Sequence, residues 1–218
     1  MVYRRPDLHR VDSLRRVLSN LIALLRMPDP LLFPVPEAFE TRRLHLRPFR
    51  LEDAPAVYDA LSESIRALRE NLWFLPWVAE DPTPRSAEVR CRKAAANFLL
   101  RADLPYLAFE KASGRLVASM GLHRTDWTLP KTEVGYWVRT TETGKGYACE
   151  GVQALTSWAL ESLKAERVEL VTDEQNAGSR AVAARCGFRL EGILRNVMRS
   201  PSGKLSSSCV YSKLPAEA

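Results

Sequence analysis

Residues Thr141-Glu142-Thr143-Gly144-Lys145-Gly146-Tyr147-Ala148 put two glycines between an apolar run, Glu133 to Arg139, and a stretch where Val152, Leu155, Thr156, Ala159 and Leu163 recur at helical spacing. A chain that passes from strand through such a loop into an amphipathic helix exposes consecutive N–H groups at the helix N-terminus. Their partial positive charge and missing acceptors suit a pyrophosphate. Glycine at 144 and 146 lets the backbone approach a ligand with no Cβ in the way. Two glycines in a loop are more often a plain turn, so the pair gains meaning only from its surroundings. Its spacing matches neither G-x-x-x-x-G-K-[ST] nor G-x-G-x-x-G, which sets aside P-loop and dinucleotide-binding readings.

The surroundings read as mixed α/β. Met27-Pro28-Asp29-Pro30, Pro34 and Pro36 cannot form helix or central strand, so the chain divides into an N-terminal part, 1–38, and a domain, 39–218. Within the first part, Leu8, Val11, Leu14, Leu18, Leu21, Ile22 and Leu25 predict one amphipathic helix over 8–25. It reads as an Arg-rich targeting or docking helix, as a packing extension, or as sequence ahead of a true start at Met27. Leu44 and Leu46 then suggest a strand, and residues 52–71 a helix broken around Ser62, ended by Trp73, Phe74, Pro76 and Trp77. Thr83 caps a further helix with Pro84 at its first position, running to about Arg101. Tyr106–Glu110 and Leu116–Leu122 form a hairpin through Ala112-Ser113-Gly114. After Glu133–Arg139 and the glycine loop come the amphipathic helix, a strand at Val168–Thr172, a short helix Ser179–Cys186 stopped by Gly187, and a closing hairpin through Pro201-Ser202-Gly203.

Composition narrows the chemistry. The formal charge is +6, but six arginines against Asp7 and Asp12 put +4 of it in residues 1–26, leaving +2 for the rest. A nucleic-acid partner would need a basic face on the domain itself, so none is expected. Cys91, Cys149, Cys186 and Cys209 are dispersed, as are His9, His45 and His123, which argues against a metal cluster and a disulfide framework and fits a cytoplasmic protein. No apolar run reaches the roughly 18 residues that span a bilayer, so no membrane partner is expected.

Thirty residues after Gly146 stands Asn176-Ala177-Gly178-Ser179, followed by Gly187-Phe188-Arg189-Leu190-Glu191-Gly192. Together with Glu133-Val134-Gly135-Tyr136-Trp137 and Gly144-Lys145-Gly146-Tyr147-Ala148, these strings resemble the GNAT superfamily of N-acetyltransferases, and within it the RimJ/RimL type. The resemblance implies an α/β (α+β) fold: a mixed, mostly antiparallel sheet of about seven strands, flanked by helices, splayed between the fourth and fifth strands, 133–139 and 168–172. Acetyl-CoA would lie in the opening as co-substrate, with no metal. By the same resemblance, backbone atoms of Trp137 and Val138 would pair with its pantetheine. Thr143, Gly144, Lys145, Gly146, Tyr147 and Ala148 would hold its pyrophosphate, and Asn176 would touch it near the thiol arm. Many relatives carry Gln or Arg three residues before the first loop glycine. Thr141 stands there in this chain, so weaker anchoring is expected.

Acyl transfer from a thioester to an amine needs a neutral amine, a stabilised oxyanion and a proton for the departing thiolate. Ser179 occupies the position where RimL-type members carry a serine, and it is the expected proton donor, or else a helix-terminal hydrogen-bonding residue. The tyrosine used by other members is replaced by Ala183. Glu133 is the expected base, or else a surface carboxylate. Val197 and Met198, where some relatives place an acid, leave a water relay open. Glu70 and Glu150 read as solvated helix charges and Glu191 as structural. A backbone N–H near Val138 would meet the oxyanion. Trp73 and Trp77 read as core anchors or as the wall of the acceptor pocket. A protein or peptide N-terminus, a ribosomal one by the resemblance, is the expected acceptor. An α-amine titrates about 2.5 units below a lysine, on the order of 3.4 kcal/mol less to deprotonate. Polyamines, antibiotic amines, a non-catalytic acyl-CoA-binding module and a homodimer remain open.

Overall fold

A computed structural model of the protein describes residues 29–215, so the helix expected over 8–25 lies outside the described residues. The chain divides into two compact units, Met1–Pro34 and Val35–Ala218. In the first, the described residues make one 3-10 turn, Pro30–Leu32, capped by Asp29, whose Oδ1 accepts from the Leu31 N–H at 3.0 Å. The second unit holds the sheet and the helices.

Its strands are β1 (Phe39–Glu40), β2 (Leu44–Pro48), β3 (Leu104–Glu110), β4 (Leu116–Asp126), β5 (Lys131–Val138), β6 (Arg167–Asp173), β7 (Arg189–Arg199) and β8 (Leu205–Lys213). Its helices are α1 (Ala54–Leu72), α2 (Pro84–Leu99), α3 (Tyr147–Glu161) and α4 (Ala177–Arg185). One sheet runs β1-β2-β3-β4-β5-β6-β8-β7, antiparallel throughout except between β5 and β6. The mixed, mostly antiparallel sheet is the one the sequence led us to expect, with an eighth strand added. β1 has two residues, too few for an alternating pattern to show.

Alternation fixes the two faces. On one, Leu107 and Trp137 pack with Val57, Ala60, Leu68, Ala87 and Cys91 of α1 and α2. On the other, α3 lies so close that a Cβ on its Gly151 would meet the Met120 thioether at 2.1 Å. The expected break in α1 at Ser62 does not occur, because the helix is continuous from Ala54 to Leu72. A serine costs a helix well under 1 kcal/mol, far less than the buried face of Val57, Ala60, Leu61 and Leu68 contributes. Ser64, in the same turn, is itself buried and accepts the Thr140 N–H on its Oγ at 3.0 Å.

The parallel pair is short. β5 and β6 are in register only at Lys131 with Arg167, Thr132 with Val168 and Glu133 with Glu169. Beyond Glu133, β5 stays with β4 as far as Val138, while β6 stays with β8 as far as Asp173. The two strands therefore splay, and the backbone groups each turns toward the other have no strand partner.

Gly121 of β4 and Gly135 of β5 face each other across the ladder beside this opening. A Cβ on Gly121 would lie 2.6 Å from the Leu104 carbonyl oxygen and 2.9 Å from the Pro105 Cα, both backbone. Gly121→Ala is expected to destabilise the protein by about 1–3 kcal/mol in urea unfolding. Gly192→Ala, with open space around its Cβ, is expected to stay within about 0.5 kcal/mol.

Candidate active site

The splay opens into a cavity of about 1410 Å³ walled by α1, α2, β4, β5, β6, α4 and the glycine loop. Of the site residues singled out from sequence, all but Trp73 and Lys145 line it. Trp73 caps α1 and sets its ring edge to face against Phe74 at 5.8 Å, and it is Phe74 that reaches the cavity. Lys145 Nζ is held instead by Glu142 at 2.8 Å.

The loop is built as a donor cradle. Gly144 and Gly146 have φ of 77° and 85°, left-handed values that a side chain disfavours by roughly 1–2 kcal/mol. Gly146 starts α3, and the N–H groups from Gly144 to Cys149 have no acceptor among the described residues. Carboxylates hold the cradle from behind. Glu142 is buried and accepts from Arg115 at 2.9 Å as well as from Lys145. Glu150 is not the solvated charge expected: it accepts from Thr41 Oγ1, the Arg43 N–H and Arg43 Nε at 2.6, 2.6 and 2.7 Å, tying the start of β2 to α3. The Arg43 guanidinium then reaches the Lys145 carbonyl at 2.9 Å and stacks on Tyr147. Thr141 is tied to α1, its N–H and hydroxyl donating to Glu63 at 3.0 and 2.7 Å. Burial pushes the Glu63 carboxyl up, but hydrogen bonds from Thr141 and Arg139 outweigh it and bring it to about 2.

On the α4 side, Asn176 caps the helix through Oδ1, which accepts the Ser179 N–H at 3.0 Å. The Ser179 hydroxyl lies 3.0 Å from the Tyr136 hydroxyl, whose proton burial holds well above the usual phenol range. Tyr136 thus brings a phenol to the site from β5, although Ala183 had removed the expected one from α4. The alternation of Glu133, Gly135 and Trp137 against Tyr136 was the available signal.

On the α1–α2 side, Glu133 forms an ion pair with Arg124, whose Nε donates to Glu133 Oε2 at 2.8 Å. Its register partner on β4 is His123, which sequence reasoning passed over. His123 Nδ1 stands 3.2 Å from Asp103 Oδ1, and its ring packs where a Cβ on Gly135 would come within 3.0 Å of Cδ2. The bare Gly121–Gly135 pair thus makes room for an imidazole. Burial pushes the Asp103 carboxyl up, and its interactions with His123 and the Arg124 backbone N–H bring it below the ordinary carboxylate range. Glu191 is structural, clamped by Arg167 at 2.7 and 2.5 Å and by Ser212 at 2.6 Å.

The acetyltransferase (GNAT) domain family matches residues 43–189. The chain belongs to the GNAT acetyltransferase family. Among curated relatives, it is 26% identical over 183 residues to N-acetyltransferase p20 of Bacillus licheniformis, covering 83% of this chain and 98% of that one. It is 36% identical over 83 residues to Bacillus subtilis YdaF, named as a ribosomal N-acetyltransferase, a match that spans only 38% of this chain and 45% of that relative. Among solved structures, RimL, the ribosomal L7/L12 α-N-protein acetyltransferase in complex with coenzyme A, shares the fold at a TM-score of 0.75 and 18% identity over 84% of this chain and 100% of that one. No helix among the described residues is long and apolar enough to cross a membrane, and no group of three metal-binding side chains gathers among them.

Because the Glu63 carboxyl is depressed from 4.5 to about 2, its stabilising contribution is full above about 4.5 and fades as pH falls toward 2. Glu63→Gln should therefore be less stable than wild type at neutral pH, with the gap closing across that acid window in pH-resolved unfolding. The same variant should bind acetyl-CoA several-fold more weakly by calorimetry, since Thr141 loses its anchor.

Proposed function

We propose that the protein transfers the acetyl group of acetyl-CoA to the α-amine of a peptide or protein N-terminus. The cleft fits an acyl-CoA on three counts: unpaired backbone along the diverging β5 and β6, acceptor-free N–H groups at the start of α3, and glycines where a Cβ would fill the cradle. Gly144, Gly146 and the following N–H groups would hold the pyrophosphate, the free edge of Trp137 and Val138 the pantetheine, and Asn176 the thiol arm.

The observation that carries the choice of acceptor is the His123–Asp103 pair. With Nδ1–H donating to Asp103, the His123 Nε2 lone pair is free to take the amine proton, and Asp103 stabilises the cation that forms. The amine nitrogen then attacks the thioester carbonyl carbon, the C–N bond forms, and a backbone N–H of the β5 edge near Val138 meets the oxyanion. As the C–S bond breaks, Ser179 Oγ gives its proton to the sulfur and is reprotonated from solvent through the Tyr136 hydroxyl beside it, while the attacking nitrogen sheds its second proton to solvent. Glu133, neutralised by Arg124, is left to orient rather than to abstract. An imidazole base suits an α-ammonium, at about 7.7–8.0, far better than a lysine ammonium at about 10.4. The names of YdaF and RimL support a ribosomal protein as acceptor, and a cytoplasmic setting with it.

Two peptides test the assignment, one with a free N-terminus and no lysine, the other N-terminally blocked with a single lysine. The free N-terminus should be acetylated faster from neutral to mildly alkaline pH, and faster turnover of the blocked peptide at neutral pH would contradict the proposal. His123→Gln should lower kcat about 100-fold or more with the KM for acetyl-CoA little changed.

A further inference from the structure

Arg90 of α2 lines the acceptor side of the cavity with its guanidinium 4.0 Å above the centre of the Trp77 ring. Around the glycine loop the arginines have carboxylates: Arg43 has Glu150, Arg115 has Glu142 and Arg139 has Glu63. Arg90 has no carboxylate and no hydrogen-bond acceptor among the described residues. Burial alone drags it down to about 10, so at neutral pH it remains a cation held in a poorly solvated place without a counter-ion. Such a charge is costly unless something anionic visits it.

Its surroundings repeat the theme. Ser86, Arg90, Lys93 and Asn97, all on one face of α2, line the same cavity beside Val89 and Ala94, so the helix shows it a polar, cationic stripe with apolar neighbours. At the C-terminal end of the stripe Asn97 Nδ2 donates to Asp103 Oδ2 at 3.5 Å, which brings in the carboxylate beside His123. The acceptor chamber is thus graded along α2, with a cation at Arg90 and, about two helical turns further on, the carboxylate of Asp103 beside His123. A dipolar acceptor fits that arrangement, with its amine toward His123 and a carboxylate toward Arg90. The Trp77 ring fixes where the guanidinium sits, and its fork of donors suits a bidentate contact.

We propose that Arg90, stacked on Trp77 and supported by Lys93, is the specificity-determining cation of the acceptor site, and that it receives a carboxylate carried close to the reacting amine. Resting on the α-amine reading above, this makes the preferred acceptor an N-terminus with an aspartate or glutamate among its first residues. The other source of the same chemistry is the α-carboxylate of a free amino acid.

The test uses the full chain with acetyl-CoA and three acceptors: a C-terminally amidated peptide with Asp at its second position, the same peptide with Asn there, and free aspartate. Wild type should turn over the Asp peptide with a kcat/KM about 10- to 100-fold above the Asn peptide, the range a charge-assisted hydrogen bond supplies. Arg90→Gln should erase that ratio through KM for the Asp peptide, Arg90→Lys should restore part of it, and Arg85→Gln, exposed on the same helix, should leave it intact. Circular dichroism and the KM for acetyl-CoA confirm that each variant is folded. Equal turnover of both peptides by wild type, or a ratio that survives Arg90→Gln, overturns the carboxylate site while leaving the N-terminal reading standing. Turnover of free aspartate but of neither peptide, lost in Arg90→Gln, upholds the carboxylate site and overturns the peptide reading. No turnover of any acceptor overturns both.

Discussion

The rest of the site depends on three residues of parallel pairing. β5 and β6 bond only from Lys131 to Glu133, and each is then drawn away by an antiparallel neighbour, β4 on one side and β8 on the other. Backbone N–H and C=O groups that lose a strand partner must find water or a ligand, because leaving them buried and unpaired costs as much as a lost hydrogen bond. The opening therefore presents backbone donors and acceptors that water or a ligand must meet. Its position follows from the fold: the glycine loop leaves the end of β5 and starts α3, while α4 starts just beyond the end of β6. The two diverging strands thus aim a helix N-terminus and the Asn176–Ser179 turn into one gap.

The cradle illustrates how a cation-like site is supported by anions. A loop that presents bare N–H groups to a ligand needs fixing from the opposite side, and three carboxylates do this, Glu63 from α1, Glu142 from the loop itself and Glu150 from α3. Each is neutralised by an arginine, so little negative field reaches the ligand side. The same sheet separates two groups of polar side chains. Tyr136 reaches Ser179 on the α4 side, whereas His123, Glu133 and Trp137 share the face that packs on α1 and α2. A thioester in the gap would meet a proton donor on one side and an acceptor amine on the other.

Much of this was legible in the sequence, and the reasons for the failures are physical. Strand, loop and helix order came through because glycines, prolines and periodic apolar residues act locally. Thr83 with Pro84, Gly187 and Ser202-Gly203 marked element ends by chemistry that needs no tertiary partner. The false break at Ser62 came from judging a polar turn by propensity, when burial of the opposite helix face decides. Glu150 looked solvated because Thr41 and Arg43 lie more than a hundred residues away along the chain. His123 was one of three scattered histidines until strand register set it across from Glu133 and the β3 approach brought Asp103 to its Nδ1. Arg90 gave no signal at all, since an arginine without a carboxylate is visible only once every neighbour is known.

The central claim is that acetyl-CoA lies in the β5–β6 splay with its phosphates on the start of α3. Amide hydrogen exchange on the full chain, with and without acetyl-CoA, tests it directly. The account requires strong new protection of the backbone N–H groups over 134–138 and 144–149, at most modest protection at the start of α4, and no change in β1, β2 or β3. Unchanged exchange over 134–138 and 144–149 under saturating acetyl-CoA, or protection concentrated elsewhere in the sheet, would contradict it.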